Sequence, residues 1–141
     1  MAAITTTAAD VRPLNGAVVR RFNAGGTVTP GQAVYIASDG DVEAADGDAV
    51  GSAQAIGIAI SDGSGAVSFA AGTRVDVCTL GPVTGFASMT PGGVVYVSVT
   101  AGALDQTASA TTGDFNFIIG RAESAATIYV NPSNVIPIAV S

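Results

Sequence analysis

The sequence predicts a mostly-β fold with little helix, a small β-barrel-like domain built from two related half-units, and three observations carry that reading. Val and Ile number 28 of the 141 residues against five for Leu plus Met, and β-branched side chains lose χ1 freedom in helices but pack well on a pleated sheet. The 18 glycines and the turn dipeptides cut the apolar runs into pieces too short for long helices. The octet TPGQAVYI at 29–36 returns as TPGGVVYV at 90–97.

Each element follows from local chemistry. Residues 1–15 are Ala/Thr-rich, lack an apolar period and are expected to form an extended arm, free to order on binding. GAVVRRF at 16–22 opens the ordered body. Pro30–Gly31 fits a type II turn, because Pro presets the first central φ and Gly tolerates the positive second one. The strand QAVYIA follows, then a hairpin-like turn, a short strand around Val42 and the acidic loop of DGDVEAADGD. QAIGIAI at 54–60 reads as a buried strand with Gly57 at a close contact.

The second copy keeps this order: Pro91–Gly92, GVVYVSV, a turn at TAGAL, a polar loop, then FNFIIGRA, where Ile119 and Gly120 match Ile56 and Gly57. TRVDVCTL and ATIYVNP correspond less closely, and DGSGAVSFAAG is an insertion in the first copy. These boundaries give half-units of about 16–80 and 81–132 within one domain, 16–132, around a shared core. The near-continuous apolar character of AVYI and VVYV predicts cover on both sheet faces, part of it from another subunit. In the apolar tail, 133–141, Val135, Ile136, Ile138 and Val140 form a ribbon that would be exposed unless something covers it.

Charge and residue types narrow the function. The net charge is −6 and the only cations are five arginines, with no Lys and no His. Scattered arginines outnumbered by 11 carboxylates make no stripe for a polyanion, so no nucleic-acid partner is expected; Arg20–Arg21, the only local excess, reads as two solvated or ion-paired side chains at a strand edge. No apolar run approaches a membrane span and the N-terminus lacks a signal pattern, so a protein made in the cytosol with no membrane partner is expected. The single Cys78 excludes an intramolecular disulfide and, within RVDVCTL, reads as an inert packing thiol. Without His or Lys the usual general bases are missing, and neither a zinc ligand set nor a phosphate-cradling glycine loop occurs. The expectation is no enzyme, no cofactor, no metal and no small-molecule substrate. Asp39, Asp41, Glu43, Asp46 and Asp48 depart from the EF-hand spacing and read as two successive turns with solvated caps.

The ordered succession GAVVRRFNAGGTVTPGQAVYIASDGDVEAAD, AIGIAI, VDVCTLGPVTGFASMTPGGVVYVSVTAGAL and FNFIIGRAESAATIYVNPS resembles the capsid decoration, or cement, proteins of tailed bacteriophages, from about Gly16 to Pro132. The resemblance implies a β-tulip fold and a homotrimer on the outer surface of the virion, where it clamps neighbouring major capsid protein subunits after head expansion. By position, it implies a capsid-contacting arm at Ala2, Ala3, Ile4, Thr5, Val11, Arg12 and Leu14; Val135, Ile136, Ile138 and Val140 would serve oligomer or capsid contact. Two other readings remain: a phage tail or baseplate structural module, and a small ligand- or carbohydrate-binding β-module. The second lacks an aromatic platform, because there is no Trp and Tyr35, Tyr96 and Tyr129 lie inside apolar runs.

Overall fold

Short apolar runs between Gly-containing turns become short antiparallel strands in the computed structural model, which describes residues 4–141. In chain order these are β1 (Thr5–Thr6), a one-turn 3-10 helix (Ala8–Asp10), β2 (Arg12–Pro13), β3 (Val18–Asn23), β4 (Ala33–Ile36), β5 (Val42–Ala44) and β6 (Gly57–Ile60). They continue as β7 (Arg74–Thr84), β8 (Phe86–Ala87), β9 (Val94–Val97), β10 (Leu104–Asp105), β11 (Phe115–Asn116), β12 (Ile118–Ala122), β13 (Thr127–Val130) and β14 (Ile138–Ala139). The main sheet runs β10-β9-β12-β13-β7-β6-β4-β5 and curls into a half-barrel, with β2 and β3 on the remaining edge of β7. The protein is thus almost wholly β and barrel-like.

The pairing pattern occurs twice. β4 lies between β5 and β6, and β6 pairs with β7 at Asp76–Cys78. In the same way β9 lies between β10 and β12, and β12 pairs with β13. β7 serves both halves, since its residues Gly81–Thr84 also pair with β13.

The repeated octets are corners. In each, the Thr carbonyl accepts the N–H three residues on, at 3.0 Å for Thr29–Gln32 and 3.1 Å for Thr90–Gly93, around Gly31 (φ 96°) and Gly92 (φ 81°). Each of these glycines also donates its N–H at 2.7 Å to the half-unit's own third strand, at the Ala59 and Ala122 carbonyls respectively. Gly57 and Gly120 correspond as well: a Cβ would collide with the Cys78 carbonyl at one and the Tyr129 carbonyl at the other. Only glycine lets the neighbouring strand approach this closely.

The halves differ in the faces they bury. Ala33, Ile58, Ile60 and Cys78 of the first half pack in one core with Val95, Ile119, Ala122 and Ile128 of the second. The opposite face of the first half forms a second core from Val34, Val42, Ala59, Val75 and Val77, covered by Val28 and by Phe69 of the inserted segment. All four residues of β6 are therefore buried, whereas β12 leaves Ile118 and Arg121 in solvent. Within one chain the second copy has cover on one face, because it lacks a counterpart to the 62–72 insertion that covers the first.

The ends are laid against the body. β1 pairs with β8, β2 pairs with β7, Ile4 packs on the shared core and Val11 is fully buried in it. Residues 4–15 are thus held to the body by β1, β2 and the buried Val11, with Leu14 left exposed. The tail returns through β14 to pair with β11. There Pro137 is buried, Val140 is partly buried, and Val135, Ile136 and Ile138 are exposed.

Candidate interaction surfaces

Chemistry-bearing side chains do not converge. The described residues hold no group of three His, Cys, Asp or Glu placed to share a metal ion. Cys78 is buried, and burial pushes its thiol up from the ordinary value, which favours the unreactive protonated form. In the acidic loop the Asp39 carboxylate accepts the Asp41 N–H at 3.0 Å and the Asp46 carboxylate accepts the Asp48 N–H at 3.1 Å. Two successive turns closed by their own carboxylates match the sequence expectation for this loop. Desolvation, with nearby Asp48 and Asp114 adding to it, raises Asp46 above the usual carboxylate range. Tyr35, over the same loop, is raised by burial and by Glu43, Asp39 and Asp46.

Among the described residues, three surfaces combine exposed apolar side chains with open space or an open strand edge. On the tail, Val135 is 62%, Ile136 73% and Ile138 67% exposed. On the outer face of the second half, a groove of about 440 Å³ is lined by Ile118, Gly120, Arg121, Glu123, Tyr129 and Asn131. Along β3 the first four residues are exposed, Val18 and Val19 among them, and Leu80 is exposed opposite Val18.

The expected contact residues separate accordingly. Ala2 and Ala3 lie outside the described residues. Thr5, Arg12 and Leu14 are exposed, Ile4 is partly buried, and Val11, fully buried, is withdrawn from the contact set because it has no surface to offer. Val135, Ile136 and Ile138 stand in solvent together; Val140 is turned partly inward, its N–H bonded to the Asp114 carbonyl at 2.9 Å. Sequence reasoning placed Arg20 and Arg21 at a strand edge and missed the apolar half of the β3 border. Its signal is the order Val18-Val19-Arg20-Arg21, two apolar then two charged, which breaks the alternation of a strand with one buried face. The chain matches no family model and no curated protein.

Proposed function

We propose that this protein is a structural virion protein that binds the outer surface of an expanded phage head and stabilises its capsid lattice, acting as a β-tulip homotrimer on the major capsid protein. The observation that carries the reading is the tail: three large apolar side chains at Val135, Ile136 and Ile138 stand in solvent on a segment held to the body where β14 pairs with β11. Clustered exposed apolar side chains of this kind mark protein–protein contacts. The motif succession from Gly16 to Pro132, with its resemblance to decoration proteins, supplies the partner class. No catalysis is needed. A protein that binds only the expanded lattice stabilises it by mass action, about 2.7 kcal/mol per site at a hundredfold excess over the dissociation constant. The exposed residues Thr5, Arg12 and Leu14 join the tail as proposed contacts, with Ala2 and Ala3 retained from the sequence.

Purified protein is expected to co-sediment with undecorated expanded capsids at a fixed number per capsomer, and light scattering is expected to report a trimer. Serine at Val135, Ile136 and Ile138 together should weaken sedimentation. Binding to tails while capsids stay bare would move the assignment to the tail.

A further inference from the structure

Among the described residues β3 is the longest strand with an unpaired edge: its six residues pair with β7 on one side and with nothing on the other. Such an edge presents a row of open N–H and C=O groups. Its apolar side chains also lack cover, Val18 at 47% and Val19 at 41% exposure, with Leu80 at 41% beside them. Three of the five arginines lie in or beside this strand: Arg20 and Arg21 in β3, and Arg74 on β7 opposite Asn23. Only Arg21 has a carboxylate partner, Asp76 at 3.1 Å; Arg20 lies over the Phe22 ring. In a protein of net charge −6, cations are concentrated along one apolar strand edge.

We propose that the β3 edge docks an extended acidic segment of a partner protein, which continues the sheet through main-chain hydrogen bonds to Val18–Asn23 and sets carboxylates against Arg20 and Arg74. Strand addition supplies affinity through the backbone and selectivity through alternate side chains. Here alternation is built in, because Arg20 shares a face with Phe22 while Arg74 lies on the opposite face with Arg21. A second copy does not fit. Two antiparallel β3 strands would bring the Arg20–Arg21 pairs together, and like charges directly opposite are destabilising. The acidic strand β5 of another copy is also occupied, since Ala24 bridges Val42 and Gly25 donates to the Val42 carbonyl at 2.8 Å. The identity of the partner as a capsid surface rests on the proposed function; the chemistry of the edge does not.

The test titrates isotope-labelled protein with a ten-residue peptide of Glu-Glu pairs separated by Thr or Val, which sets carboxylates on both faces of the strand, and with its Lys counterpart, while amide resonances are followed. The Glu peptide is expected to shift Val18–Asn23 and the Lys peptide to leave them in place. Arg20→Glu with Arg74→Glu should weaken the Glu peptide about tenfold; if that reversal disturbs folding, Arg20→Gln with Arg74→Gln takes its place, with a smaller loss. Unmoved β3 amides, equal response to both peptides, or undiminished binding by the folded variant would overturn the proposal. The same variants on expanded capsids separate the two ideas. If the Glu peptide leaves β3 unmoved while capsids capture wild type and variant equally, the edge proposal fails and the capsid reading stands. If the Glu peptide docks but capsids capture nothing, the edge stands and the capsid reading fails.

Discussion

Ile58 and Arg121 hold the same place in the two half-units. Each follows the glycine that lies under a neighbouring carbonyl, and each precedes the alanine tied to its own TPG corner. Ile58 is fully buried in the shared core, while Arg121 reaches solvent and donates to the Gly92 carbonyl at 3.2 Å. Two steps on, Ile60 is buried and Glu123 exposed. The face that the second half turns inward, with Val95, Ala122 and Ile128, corresponds to the face that the first half turns toward its insertion, with Val34, Ala59 and Val77. The halves are therefore stacked in sequence, not related by a shared inner face. Such stacking leaves two outer faces, one capped by Phe69 and its segment, the other open. Duplication set strand order and corners; which face is buried followed from the stacking.

The largest expected contrast is at that pair. Ile58→Ala should cost about 3 kcal/mol, the transfer loss plus a cavity in a layer packed on both sides. Arg121→Ala should stay within about 0.5 kcal/mol in the isolated protein, as expected for an exposed residue. Urea unfolding of both variants checks this, and equal costs would mean that the second half's outer face is covered in solution. Next in size are the glycines. Alanine at Gly57 or Gly120 forces a Cβ against a backbone carbonyl, so each should lose about 2 kcal/mol. Gly57 should lose more, because β6 is confined on both faces and β12 has solvent on one. A tolerated Gly120→Ala beside a damaging Gly57→Ala would limit the tight approach to the first half.

Much of this was legible in the chain, and the reasons are local. A Pro-Gly corner is dictated by φ, so Pro30–Gly31 and Pro91–Gly92 read directly, and Ile-Gly in AIGIAI and FIIGRA marked the two close approaches. The face exchange was also written, as Ile58 and Ile60 against Arg121 and Glu123, but an octet comparison stops short of those positions. The attachment of residues 4–15 to the body was not legible because Ala and Thr carry little apolar signal; one residue, Val11, fills a core site whose other walls come from residues far along the chain. Of the four ribbon residues named from the sequence, Val135, Ile136 and Ile138 are exposed, while Val140 is partly buried where its N–H bonds the Asp114 carbonyl. Of the β3 border the arginine pair was legible as a strand edge; its apolar part escaped because it depends on Leu80, which pairing with β7 places beside Val18.

The smallest effect lies at the seam between the halves, where Gly47 donates to the Ser98 carbonyl at 2.9 Å and accepts from the Phe115 N–H at 2.7 Å. The first half contributes Asp46 there, and the second contributes Asp114, whose charge adds to the desolvation that raises Asp46. A carboxyl whose pKa is higher folded than unfolded binds its proton more tightly in the folded state. Ionising it therefore costs stability as pH rises from the unfolded carboxylate range through the raised value, and the cost persists above it. Asp46→Asn keeps an oxygen to accept the Asp48 N–H and removes the charge. The variant should be slightly more stable than wild type at pH 7, with the advantage vanishing below the unfolded carboxylate range. Thermal melts at pH 7 and pH 3 check the sign. A variant less stable at pH 7 would mean that the ionised carboxylate holds the seam together, and that the acidic loop joins the half-units instead of straining against them.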